Sequence, residues 1–133
     1  MNGLQNFILD LDQKKKKKKD KQMDETPDSV IAELQRLVGE AQKGVQALYE
    51  TETKVAQLEQ DYDTAHAHAI LGSTGTAAER AAQATLATSA LKFELQIGKA
   101  EMNRVKTKLR AIESAQVATS VIAKQVELLW RHA

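Results

Sequence analysis

Cysteine is absent from the chain, which removes disulfide frameworks, thiolate metal sites and thiol nucleophiles and gives no sign of an oxidising compartment. Aromatic residues make up only 4% of the 133 residues, against 42% hydrophobic overall, so the large side chains of a thick globular core are missing. A thin, extended seam fits better. There is one proline and there are six glycines, while Ala, Leu, Glu, Gln and Lys, which lose little side-chain freedom in a helix, are abundant. No apolar run approaches the roughly 18 residues that span a bilayer. Met1-Asn2-Gly3-Leu4-Gln5 also lacks the basic flank and small-residue cleavage site of a secretory signal. The expected location is the cytoplasm, with no membrane partner.

What the sequence does hold is a heptad pattern on either side of Leu71-Gly72-Ser73-Thr74-Gly75-Thr76. Before it, alternating steps of four and three connect Val30, Leu34, Leu37, Ala41, Gly44, Leu48, Thr51, Val55, Leu58, Tyr62, Ala65 and Ala69. After it the same steps connect Ala81, Ala84, Thr88, Leu91, Leu95, Gly98, Met102, Val105, Leu109, Ile112, Gln116, Thr119, Ala123, Val126 and Trp130. The fold class this predicts is all-α, a long antiparallel two-helix coiled-coil hairpin over 26–133 with its turn at 72–76. Thr26-Pro27-Asp28 supplies a capping hydroxyl, a proline at the first helical position and an acid at the positive helix end. The first helix would run about 46 residues to Leu71, roughly 69 Å. Thr76 with Glu79 forms a capping box for a second helix reaching about Arg131. Ile31, Val38 and Val45 widen the first apolar stripe, which asks for more than one neighbour.

Folding about the middle of the turn pairs residues whose numbers add to about 147, setting Gly44 near Met102 and Gly98 near Leu48 and Tyr49. Alanines cluster around the turn, so the closest helix approach is expected at the tip. In this register Thr26 lies opposite Val121. Ile122, Val126, Leu129 and Trp130 then extend beyond the first helix and form an oligomer interface, or are covered by the amino-terminal segment. That segment, 1–25, holds a short amphipathic helix, with Leu4, Phe7, Ile8 and Leu11 on one stripe, and a flexible lysine-rich linker. The run Lys14 to Lys19 serves as a solvated linker, or as an arm that finds phosphates or a nuclear-localisation signal.

Charge is unevenly divided. From Thr26 to Leu71 three basic residues stand against eight acidic ones, and from Leu91 onward eight basic against four acidic. Lys99, Asn103, Lys106 and Arg110 recur at steps of four, three and four, with Arg104 and Lys108 on adjoining faces. Such a stripe can track a sugar–phosphate backbone; alternatively it is a solvated face that pairs with acids such as Glu50 and Glu52. Stacking aromatics are few: Tyr49, Tyr62, Phe93 and Trp130. His66 and His68, two apart, point to different faces and cannot clasp one metal as an i, i+4 pair would. Gly72-Ser73-Thr74-Gly75 has no lysine after it and no strand before it, so it is a helix–helix turn, not a phosphate cradle. No catalytic constellation, metal site or cofactor signature is present, and the expectation is a protein that is not an enzyme.

The run Tyr62-x-x-Ala65-x-Ala67-x-Ala69-x-Leu71, then Gly75-Thr76-x-x-Glu79-Arg80, Ala84, Arg104-Val-Lys106-Thr-Lys108-Leu-Arg110-Ala-Ile112 and the close from Ile122 to Trp130 resembles small all-helical bacteriophage proteins. More loosely, it is similar to recombination mediators of the UvsY type. The likeness covers about 58–130. It implies an oligomeric, ring-like recombination accessory that binds single-stranded DNA through its phosphates and helps load a recombinase in the host cytoplasm. Lys99, Arg104, Lys106, Lys108 and Arg110 would then face DNA, and Ile122, Val126, Leu129 and Trp130 would assemble subunits. The alternatives are a protein–protein module, such as a phage-encoded inhibitor or adaptor of a host complex, and a structural coiled-coil component.

Overall fold

The computed structural model describes residues 25–132, and these are all-helical, with three helices and no strand. Helix α1 spans Pro27–Leu71, α2 Ala77–Ala87 and α3 Ser89–Arg131. The expected Leu4–Leu11 helix and the lysine run lie outside the described residues. By internal contacts the chain divides into two units, one of 25–38 with 115–132 among the described residues, the other of 39–114.

The helix ends form where the local chemistry supplies partners. Ahead of α1, the Thr26 hydroxyl accepts from the Ser29 amide at 3.2 Å and the Ser29 hydroxyl accepts from the Thr26 amide at 2.9 Å. This reciprocal pair satisfies donors that the first turn leaves open, with Pro27 needing none. At the other end the Ser73 hydroxyl sits within hydrogen-bond reach of two orphan carbonyls, Ala69 at 2.6 Å and Ile70 at 2.9 Å. Gly75 then takes φ +110°, a backbone state that favours glycine, and a Cβ there would also run into the Glu79 carboxylate. Thr76 caps α2, its hydroxyl accepting from the Glu79 amide at 3.2 Å.

The second arm is interrupted where one continuous helix was expected. Between α2 and α3 stands Thr88, only 3% exposed, whose hydroxyl donates to the Ala84 carbonyl at 2.7 Å. Such back-bonding competes with the regular ladder and bends helices. The ladder nevertheless resumes at once, because the Lys92 amide donates to the Thr88 carbonyl at 3.0 Å. Heptad phase therefore carries from α2 into α3.

Burial follows the heptad positions. Every expected position on α1 from Val30 to Ala69 is buried or half-buried, as is every one on α2 and α3 except Ala81 and Trp130. The core is thin: no large side chain among the described residues is fully buried. Two of the polar seam residues carry their own partners, the Thr51 hydroxyl donating to the Leu48 carbonyl at 3.0 Å and the Thr88 hydroxyl to the Ala84 carbonyl at 2.7 Å, so burying them leaves neither hydroxyl unpaired.

Within the unit 39–114 the register differs from the expected one. Gly44 faces Leu109, and Gly98 faces Leu58 and Val55. Lys54 pairs with Glu101 at 3.2 Å, Lys99 with Glu59 at 3.4 Å, and His66 Nδ1 lies 3.4 Å from the Thr88 hydroxyl. Facing residues thus run in opposite order, with numbers adding to between 153 and 158 instead of about 147. The shift is one heptad. The turn goes with it by folding back along α2, the Gln83 side chain donating to the Thr74 carbonyl at 3.3 Å. The first turns of α2 therefore lie beside the loop and not beside α1, which leaves Ala81 exposed. Ala67, Ala77, Ala78 and Ala82 are exposed as well, and the glycine contacts form at Gly44 and Gly98.

These contacts fix opposite outcomes for two helical glycines. A Cβ on Gly39 meets nothing within 4 Å, so Gly39→Ala should raise stability by about 0.5–1 kcal/mol through helix propensity alone. At Gly44 a Cβ would collide with a Leu109 methyl and lie 3.0 Å from its Cγ. Gly44→Leu should therefore lower stability by about 1–3 kcal/mol, both values read from urea unfolding. Equal effects at the two sites would contradict the packing of Leu109 on Gly44.

Candidate interaction surface

From the end of α2 along α3 runs a second column of heptad spacing that the seam does not use. Stepping by four and three from Leu86 gives Ala90, Phe93, Ile97, Ala100, Arg104, Thr107 and Ala111, and every one of them is exposed. Leu86 is 77%, Phe93 63% and Ile97 44% open to solvent. At 100° per residue this column points about 150° away from the seam. Beside the seam column its residues read as a solvated helix face. The signal was there all the same, since seven steps pass with a single charge, Arg104. On α1, Ile31, Val38 and Val45 are also left exposed, with Tyr49 beside them at 65%. The second neighbour expected for that wider stripe is not another described part of the chain.

The five expected DNA-facing cations are not on one face. Lys99 is tied to Glu59 at 3.4 Å, which places its column beside the seam and not at its back. By helical angle Lys106 and Arg110 share that flank, Lys106 half-buried and Arg110 exposed. Arg104 belongs to the outward column. Lys108 follows Glu94 and Glu101 at seven-residue steps on the remaining flank, and all three are exposed. Arg104, Lys106, Lys108 and Arg110 form no ion pair within 4.0 Å with any described residue. The pairing expected with Glu50 and Glu52 does not occur; Glu50 instead accepts from the Gln46 side chain at 3.2 Å.

The expected oligomer residues divide. Val126 is 8% exposed and belongs to the core of its own unit, and Ile122 is half-buried, whereas Leu129 and Trp130 are 71% and 59% exposed. Burial reaches Val126, five residues past the point where the expected register set the start of the first helix.

His66 and His68 do separate, His66 half-buried and His68 exposed. His66 stacks on Tyr62 with ring centroids 5.6 Å apart. The Thr88 hydroxyl donates to the Ala84 carbonyl, which leaves its oxygen as the acceptor facing His66 Nδ1 at 3.4 Å. Among the described residues no group of three or more His, Cys, Asp or Glu side chains could hold a metal ion. No described helix is long and apolar enough to cross a membrane.

No protein-family model matches the sequence, and comparison with curated proteins and with solved structures finds no match.

Proposed function

We propose that this chain is a non-enzymatic interaction module, a long antiparallel two-helix coiled-coil hairpin whose second arm offers an apolar column to a further helix. The observation that carries this is the exposed heptad column from Leu86 to Ala111. A helix with two apolar columns needs two neighbours, and α1 supplies only one. Exposed apolar side chains scattered singly mean little, but in heptad register they have the form of a coiled-coil seam.

A second reading rests on a different observation, the four cations between Arg104 and Arg110 that no described acid neutralises. They support a single-stranded nucleic-acid accessory, in keeping with the resemblance to recombination mediators. Binding of this kind is dominated by phosphates and insensitive to base sequence.

The two readings separate in solution. Phe93→Gln and Ile97→Gln should each leave the unfolding free energy of the dilute protein within about 0.5 kcal/mol of wild type, because the column contributes nothing to the lone chain. Leu95→Ala, one step away in the seam, should cost about 2–5 kcal/mol. Destabilisation by the outward substitutions on the scale of Leu95→Ala would sink the module reading. For the second reading, anisotropy of a labelled single-stranded oligonucleotide should report binding that weakens steeply with salt. Lys106→Ala with Arg110→Ala should then flatten the log–log salt slope by roughly 1.4, at about 0.7 per lost phosphate contact. An unchanged affinity would show that the cations serve another purpose.

A further inference from the structure

The outward column has a chemistry of its own that narrows what covers it. Its large residues, Phe93 and Ile97, precede small ones, Ala100, Thr107 and Ala111. Its acidic flank residue Glu94 precedes the basic Lys108 in the same flank column. Both flank residues are exposed, and neither forms an ion pair with a described residue. Glu101, which lies between them, is already held by Lys54 at 3.2 Å.

We infer that the column is covered by a second copy of this chain, running antiparallel about a twofold axis near residue 102. Twofold symmetry brings each flank of the column against the same flank of the other copy. When facing residue numbers add to about 204, Phe93 meets Ala111 of the second copy, Ile97 meets Thr107, and Arg104 lies over Ala100. Each large side chain faces a smaller one. In the same register Glu94 comes level with Lys108 of the second copy, and symmetry forms that pair twice. In this register Glu101 meets its own copy near the axis, each already held by its Lys54; a one-heptad shift downward instead sets Glu94, which has no such partner among the described residues, against Glu101, and does so twice. The opposite shift makes Lys108 compete with Lys54 for Glu101. A parallel arrangement stacks Arg104 on its own copy, with two guanidinium groups in one layer. Charge and side-chain size therefore select the same pairing.

This inference rests on the interaction reading above, and its failure can be told from the failure of that reading. The test is the molar mass of the full chain by sedimentation across a concentration series. Wild type should reach twice the 14.7 kDa chain mass, with Phe93→Gln and Ile97→Gln together shifting it to the monomer while helicity is kept. Lys108→Glu should weaken the dimer at least tenfold, and Glu94→Lys likewise; the double exchange Glu94→Lys with Lys108→Glu should restore it to within about threefold. A monomeric wild type at ~100 µM, or a double exchange that fails to restore assembly, overturns the second copy. If the outward substitutions leave the lone chain's stability intact in that event, the interaction reading survives without it; if they destabilise the lone chain, both fall.

Discussion

Two glycines hold the unit 39–114 in its register. Gly44 admits Leu109 so closely that a methyl in its place would overlap, and Gly98 packs on Leu58 and Val55, where a Cβ would lie 3.0 Å from the Leu58 Cδ1 and 3.4 Å from the Val55 Cγ2. In a seam this thin, with no large side chain among the described residues fully buried, a leucine settled into a glycine gap is one of few features that distinguish one alignment from its neighbours. Leu109 is 9% exposed, and a side chain buried to that degree contributes about 1.5–3 kcal/mol. Sliding the helices by a heptad would exchange that fit for other partners along the seam.

From the register follow the charge pairs and the faces left over. Lys99 with Glu59 and Lys54 with Glu101 lie on opposite flanks of the seam, and each is a partly exposed pair of modest strength. They neutralise some of the charge that the sequence distributes unevenly and leave Arg104, Lys106, Lys108 and Arg110 without an acidic partner among the described residues. They also leave the back of α3 apolar. A surface built from an apolar column with a charged flank favours contact with another helix, and this is why the module reading stands ahead of nucleic-acid binding here.

Much of this was legible in the sequence. Thr26-Pro27, the turn at 72–76, the Thr76 cap and nearly every seam position follow from spacing and cap chemistry, because these are local or strictly periodic. The register was not legible. A heptad pattern is unchanged by a slip of seven, so either alignment keeps Val55, Leu95 and Leu109 in the seam, and either sets both glycines against larger residues. What decides between them is how closely each glycine fits its partner and how far the loop folds back, with Gln83 reaching Thr74, and composition encodes neither. The break at Thr88 was hidden similarly: a threonine in a seam column is compatible with a regular helix until its hydroxyl turns to Ala84. The outward column is also written in heptads, but one seam is enough to account for a two-helix hairpin, so nothing in the spacing alone assigns the second column a neighbour.

The absence of cysteine makes the register directly measurable, because any introduced pair of thiols is the only pair in the chain. One heptad from Gly44 and Leu109 lie Thr51 and Met102. Thr51→Cys with Met102→Cys should therefore close to an intramolecular disulfide under mild oxidation, whereas Thr51→Cys with Leu95→Cys should not. Closure of the second pair and not the first would contradict the glycine-locked register, and with it the placement of every face described above.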